Sequence, residues 1–269
     1  MNSLNSPVPR FLALFLLACA ATLPVAGCRN APGKPGPEPE VARPEQLADF
    51  ATLYSQNCAS CHGVNGRNAA AISLANPVYL ALAGVANIQR VTANGVPGTT
   101  MPPFSKAAGA MLTDRQITIL AEGMERNWGS PDALAGRVAP AYAGHAPGDP
   151  VQGQKTFAAF CARCHGADGN GAPAGNGIVT GSLVDSAYLA LISDQGLRSI
   201  IIAGQPEQGM PDWRSHLNGP GARPMTDQEI TDVVAWLTSH RIATPGQVYK
   251  HSLGASKDCQ HPGSKRRHV

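Results

Sequence analysis

Apolar positions recur with a helical period in several segments of this 269-residue chain. The pattern covers "PEQLADFATLYSQNC" (Pro44–Cys58) and "DPVQGQKTFAAFC" (Asp149–Cys161), where Asp149 before Pro150 predicts an N-cap with proline in the first turn. Two further stretches carry a capping box followed by an apolar stripe. The boxes are Thr113…Gln116 and Thr226…Glu229, and the stripes are Ile117, Leu120, Ala121 and Met124, then Ile230, Val233, Val234 and Leu237. No run has the alternation of a strand, so the pattern predicts an all-α fold.

These segments recur in one order, which predicts a duplicated domain. "NPVYLALAG" (Asn76–Gly84) matches "DSAYLALIS" (Asp185–Ser193), and a second short helix follows in each copy. Each copy then has a loop containing Met-Pro, "GVPGTTMPPF" (Gly95–Phe104) and "GQPEQGMPDW" (Gly204–Trp213). We predict a first domain over residues 44–130 and a second over 149–245, joined by residues 131–148.

The N-terminus predicts export and a membrane anchor. An apolar run, "FLALFLLACAATLPVA" (Phe11–Ala26), is too short and too weakly flanked for a spanning helix and fits a signal peptide over residues 1–27. It ends in "VAGC" (Val25–Cys28), which resembles the lipobox of bacterial lipoproteins and so implies lipidation of Cys28. An ordinary cleaved signal and an uncleaved anchor are the alternatives. Residues 28–43 are rich in proline and lack an apolar period, which predicts an extended tether.

The candidate chemistry lies in "CASCHG" at residues 58–63 and "CARCHG" at residues 161–166. A C-x-x-C pair alone fits a disulfide or half of a zinc site, but a histidine directly after it is the attachment pattern of c-type haem. Two thiols three residues apart on one turn can join two vinyl groups of one porphyrin, and the next imidazole reaches the iron. The motifs therefore predict two covalently bound haems c, with these residues holding them: Cys58, Cys61 and His62; Cys161, Cys164 and His165.

The order of N-terminal helix, C-x-x-C-H, short helices, Met-Pro loop and C-terminal amphipathic helix resembles a class I cytochrome c. Two copies over residues 44–245 resemble the diheme cytochromes c of periplasmic electron transfer. The resemblance implies an all-α fold of two tandem class I cytochrome c domains, with Met101 and Met210 as the second axial ligands of the two irons. Other candidates for that position are Met111, Met124, Met225, His145 and His216.

The sequence departs from the family in one respect. Many class I domains offer a proline carbonyl to Nδ1–H of the iron-binding histidine, which fixes the ring. No proline occurs between His62 and Pro77, and the loop after His165 has only Pro173. The acceptor for each histidine is therefore left open.

The resemblance implies a carrier of single electrons, facing the periplasm of a bacterial cell envelope and held at the membrane by its lipid. Its expected partners are other redox proteins or a membrane respiratory complex, of which it could be a subunit, and no nucleic acid. The alternative is a diheme enzyme, a peroxidase or dehydrogenase, which needs one iron open to substrate. The chain has a net charge of +3; residues 246–269 form a basic tail that we expect to be disordered, and Cys259 in it has no assigned role.

Overall fold

The computed structural model describes residues 41, 43–172, 180–214 and 223–242. Over these residues the chain forms nine α-helices and no strand, with only two isolated β-bridges. This confirms the predicted all-α fold. None of the helices in these ranges has the length and apolar character needed to cross a membrane. The predicted signal peptide, Cys28, most of the tether, His216 and the basic tail with Cys259 lie outside the described residues.

The helices repeat in the order that the sequence predicts. The first domain contains α1 (Phe50–Asn57), α2 (Ala59–His62), α3 (Pro77–Asn94) and α4 (Asp114–Trp128). The second contains α5 (Pro150–Phe160), α6 (Ala162–His165), α7 (Ser186–Leu191), α8 (Asp194–Ala203) and α9 (Asp227–Thr238). Helix α3 is interrupted at Gly84, so its two halves correspond to α7 and α8. Short 3-10 turns cover Pro44–Gln46, Lys106–Ala108 and Pro206–Gln208.

Both predicted capping boxes are formed at the start of the last helix of each domain. In α4, Thr113 Oγ1 accepts from Gln116 N (3.2 Å) and Gln116 Oε1 accepts from Thr113 N (3.0 Å). Thr226 and Glu229 make the same pair of bonds, of 3.2 and 2.8 Å, in α9. These reciprocal bonds satisfy N–H groups that a helix start otherwise leaves without partners.

The helical pattern before the first C-x-x-C-H extends further than the helix itself. Asp49 accepts from Thr52 N (2.8 Å) and caps α1 there, so the helix begins at Phe50 and Pro44–Gln46 forms a 3-10 turn instead. In the second domain Asp149 caps α5 by accepting from Val151 N (2.8 Å), as the Asp-Pro pair predicts. The first domain therefore has the shorter N-terminal helix.

The core of each domain forms where its last helix crosses the preceding helices. Helix α4 packs against α3 and α1, and α9 packs against α5 and α8. Every residue of the two predicted stripes is buried. Aromatic rings fill both crossings, since Trp128 meets the Tyr54 ring edge-on (centroids 5.0 Å apart) and Trp236 lies 4.3 Å from Phe157. The apolar stripes thus face the core, as predicted.

The segment between the domains is bonded to the second domain. Ala141 O accepts from Arg198 Nε (3.0 Å) and Nη2 (2.8 Å), and Ala141 N donates to Asp227 Oδ1 (3.0 Å). Arg198 is only 4% exposed and forms an ion pair with Asp227. Gln195 Nε2 donates to the carbonyl of Tyr142 (2.7 Å). A buried guanidinium is stable only when it is paired and hydrogen-bonded, so this contact fixes the segment in place.

Candidate haem-binding sites

Each C-x-x-C-H motif occupies a short turn at which the chain leaves one helix and starts another. Cys58 ends α1 and precedes α2, and His62 is the last residue of α2. His62 N donates to Cys58 O (3.0 Å), and His165 N donates to Cys161 O at the same distance. The two motifs therefore share one backbone conformation, which presents two thiols and an imidazole in the same order.

No disulfide joins the four cysteines of the motifs to one another or to any other described residue. Burial, with a smaller contribution from Cys61, raises the pKa of Cys58 to about 12, and burial with Cys164 does the same for Cys161. The first thiol of each motif is therefore protonated at neutral pH. Within the described ranges no three His, Cys, Asp or Glu side chains converge as a metal ion would require. Neither the disulfide nor the zinc interpretation finds support among these residues.

The imidazole of His62 is held in one tautomer. Its Nδ1 lies 2.9 Å from the carbonyl of Ile72 and, because a carbonyl only accepts, Nδ1 carries a proton and donates; in the neutral ring Nε2 then has none. Burial lowers the pKa of His62 and outweighs the opposing effect of this hydrogen bond, which favours the neutral ring that binds iron. Ile72 thus supplies the carbonyl that the sequence leaves open for the first histidine. No sequence signal marks it, because every residue offers a carbonyl.

Among the described residues, the surroundings of the second histidine differ from those of the first in one hydrogen bond. Tyr54 Oη donates to Gly63 O (2.9 Å), just after His62, whereas the corresponding Phe157 has no hydroxyl. His165 Nδ1 is buried and has no hydrogen-bond partner among the described residues, which omit 173–179 of the following loop. Burial lowers the pKa of His165, so its ring is also neutral.

The two Met-Pro loops close on a glycine in the same way. Gly95 and Gly204 follow the preceding helix with φ of 67° and 68°, a conformation that favours glycine. A Cβ on either residue would lie 2.7 Å from the carbonyl oxygen of Met101 or Met210. The residue after each glycine donates its N–H to that same carbonyl, over 3.0 and 2.9 Å. Met101 and Met210 therefore hold equivalent, half-buried positions.

The other candidates for the second axial position are placed differently. Met124 and Met225 are buried in the apolar core, at 2% and 7% exposure. Met111 is 76% exposed on the surface, and His145 is exposed in the segment between the domains. Of the methionines in the described part of the chain, Met101 and Met210 alone lie in corresponding loops.

These residues fit haem c. Each motif offers two thiols on one turn that no disulfide occupies and a neutral imidazole, and each domain adds a methionine on a closed loop. A haem at the first site would be attached to Cys58 and Cys61, with His62 as its iron ligand. At the second site these roles would fall to Cys161, Cys164 and His165.

Comparisons with known proteins give matches in both halves of the chain. A family model described as cytochrome c matches residues 150–241, and one described as cytochrome c oxidase, cbb3-type, subunit III matches residues 45–122. Among solved structures, a chain of the reducing HAO-like protein complex of Kuenenia stuttgartiensis is 17% identical over 75% of this chain and 100% of that chain, with a TM-score of 0.41. No curated protein matches the chain.

Proposed function

This chain is a tandem c-type cytochrome, and we propose that it carries single electrons between redox proteins in the bacterial cell envelope. Domains of this family hold haem c through cysteine thioethers, and the haem supplies a one-electron Fe(III)/Fe(II) couple. We propose one haem in each domain, over residues 44–130 and 149–245. The covalent attachments are Cys58, Cys61, Cys161 and Cys164, and the axial ligands are His62, Met101, His165 and Met210.

The equivalent placement of Met101 and Met210 is the observation that carries this proposal. Both methionines lie in loops whose backbone closes on Gly95 or Gly204, so both domains hold a methionine at the same point of the loop, which supports an equivalent role for the two. Histidine on one side of an iron and methionine on the other leave no position for substrate and raise the reduction potential. That arrangement suits electron transfer rather than peroxidase or dehydrogenase chemistry.

The partners that we propose are redox proteins, either free or within a membrane respiratory complex. The family model that matches the first domain is named for a subunit of cbb3-type cytochrome c oxidase, which supports the second possibility. Lipid on Cys28 would hold the protein at the membrane surface, facing the periplasm, with residues 28–43 as the tether. Cys28→Ser should abolish the incorporation of labelled fatty acid into the haem-loaded protein; incorporation unchanged by the substitution would exclude this anchor.

Spectroscopy of the holoprotein tests the ligand set. We expect two low-spin His/Met signatures in near-infrared absorption and magnetic circular dichroism, and two haems per chain. Met101→Gln and Met210→Gln should each remove one signature. Met111→Gln is the matched control, because Met111 is exposed in the first domain, and it should change neither. A high-spin or His/His centre in the unaltered protein would contradict the proposal and favour a diheme enzyme.

A further inference from the structure

One carboxamide, that of Asn76, crosses the boundary between the domains. Its Nδ2 donates to the carbonyls of Ala203 (3.0 Å) and Gly204 (3.2 Å) in the second domain. Its Oδ1 accepts from Val78 N (2.9 Å) and Tyr79 N (3.4 Å), which caps α3 in the first domain. Asn76 is 3% exposed. Both ends of the buried amide are therefore satisfied, one in each domain.

The carbonyls that Asn76 binds lie at the base of the Met210 loop. Ala203 is the last residue of α8, and Gly204 is the glycine on which that loop closes. The final carbonyls of a helix lack hydrogen-bond donors within it, so Asn76 supplies a donor that α8 itself does not have. A weaker contact lies beside it, where Ser73 Oγ is 3.3 Å from Glu207 Oε1 in the same loop and shares its one hydrogen between that oxygen and the carbonyl of Gly66 (3.2 Å).

The same stretch of the first domain also reaches its own site. Ile72, which fixes the ring of His62, is four residues before Asn76. Residues 72–76 therefore contact the histidine side of the first site at one end and the methionine loop of the second at the other. The two sites are linked by a short, hydrogen-bonded piece of backbone.

We propose that Asn76 is a positioning residue for the second site, fixing from the first domain the loop that presents Met210. The inference rests on the proposed function in taking Met210 as an iron ligand. Its mechanical part, the coupling of Asn76 to the loop, does not depend on that assignment. The second domain gains an anchor that none of its own described residues provides.

The corresponding residue of the second domain allows the two roles of Asn76 to be separated. Asp185 caps α7 by accepting from Ala187 N and Tyr188 N, each over 2.9 Å, and it is exposed. Aspartate and asparagine are about equally good N-caps, but an aspartate carboxylate has no N–H to donate. Asn76→Asp therefore keeps the cap of α3 and removes the bonds to Ala203 and Gly204, but it also sets a buried carboxylate against those two carbonyls; neutral Asn76→Ser removes the bonds without that charge.

Hydrogen exchange of the haem-loaded, full-length protein tests the proposal. In Asn76→Asp the amides of Gln205 and Met210 should exchange faster by on the order of tenfold to a hundredfold, because the loop loses a buried anchor. The amides of Val96 and Met101 in the first domain should keep their rates. Asn76→Ser, a neutral cap without an amide donor, should give the same pattern. Asp185→Asn is the matched control and should leave both loops unchanged.

Two results would overturn the proposal. One is unchanged exchange at Gln205 and Met210 in both Asn76 variants. The other is equal acceleration throughout both domains, which would make Asn76 a residue of general stability only. The near-infrared His/Met signature of the unaltered protein is a separate measurement. Its absence would contradict the proposed function, while the exchange rates would still decide the role of Asn76.

Discussion

In both domains the first helix crosses the last helix through one aromatic residue and one glycine, but the two residues lie on opposite helices in the two domains. In the first, Phe50 of α1 packs over Gly123 of α4, whereas in the second Gly153 of α5 lies against the turn of α9 that carries Trp236. Phe50 and Gly153 are each eight residues before the first cysteine of their motif, and Gly123 and Trp236 are each ten residues after the capping threonine. The large and small partners have exchanged helices.

This exchange shows that the crossing requires a pair rather than a residue at either position. Two helices approach closely only if a large side chain on one meets a small one on the other. Both domains meet that condition with glycine and an aromatic ring. Comparison position by position would find neither residue retained, although the packing requirement is the same.

The two glycines differ in what they face. A Cβ on Gly123 would meet the ring of Phe50, which is a side chain and not backbone. A Cβ on Gly153 would overlap the backbone carbonyl of Asp232, and it would lie 2.8 Å from Trp236 Cβ. The helix backbones are therefore in direct contact in the second domain, while in the first a side chain separates them.

The largest effect should come from Gly153→Ala. The added methyl group would push α5 away from α9, and we expect a loss of about 3 kcal/mol or more in unfolding free energy. Trp236→Ala in the same chain should not relieve this loss, because the obstruction is backbone. Denaturant unfolding of the four proteins of a double-mutant cycle measures it. Rescue by Trp236→Ala would show that the side chain, not the backbone, limits the approach.

Gly123→Ala should cost less, about 1–3 kcal/mol, and should be rescued from the partner helix. Phe50→Ala opens a cavity that the new methyl group partly fills, so the double variant should be more stable than the two single losses predict, by about 1 kcal/mol. The same cycle in the first domain tests this. Strict additivity would mean that the ring of Phe50 is not what excludes a side chain at position 123.

The smallest effect concerns acid. Hydrogen bonds from Arg223 lower the pKa of Glu229 to about 2, against the opposing effect of burial and with help from Thr226. A carboxylate whose pKa falls on folding adds stability above its unfolded value, near 4.5, and this is lost as the pH drops toward 2. Glu229→Gln should cost about 1 kcal/mol at pH 7, allowing for solvent screening, and should flatten the dependence on pH between 4.5 and 2.

The capping box of the first domain has neutral Gln116 in that position, so this acid response should be confined to the second domain. Glu122→Gln is the control, because Glu122 is exposed and its contact with Arg126 spans 3.9 Å. Unfolding followed from pH 7 to pH 2 measures all three proteins. An equal acid response in the Glu229→Gln protein and the unaltered one would contradict the assignment.

Features that depend on neighbouring residues in the chain could be predicted from the sequence. The capping boxes, the Asp149–Pro150 start of α5 and the buried stripes of α4 and α9 all follow from spacing that each helix satisfies by itself. The duplication could be predicted for the same reason, since it is a repeat of such local patterns. Residues Met101 and Met210 were also found through that repeat, and their role as ligands stays a prediction.

Features that depend on which carbonyl a side chain meets could not be predicted. Ile72 and Ala203 act through backbone oxygens, which are the same for every residue type. From the sequence, Asn76 is an ordinary helix-cap residue. Its second contact is with a carbonyl 127 residues away, which local spacing does not indicate. The start of α1 at Phe50 depends on the cap that Asp49 forms with Thr52 N. The helical period of the sequence does not show where such a cap forms.

The anchoring of Ala141 by Arg198 bears on how such a tandem could be cut and rejoined. Because Ala141 and Tyr142 are bonded to α8 and α9, the second domain includes residues well upstream of the cap of α5. A gene fusion that began the second domain at Asp149 would remove the carbonyl of Ala141 and expose the guanidinium of Arg198 to water. A second domain that can be moved intact to another protein therefore starts before Ala141. Recombination between such domains should favour breakpoints N-terminal to that residue.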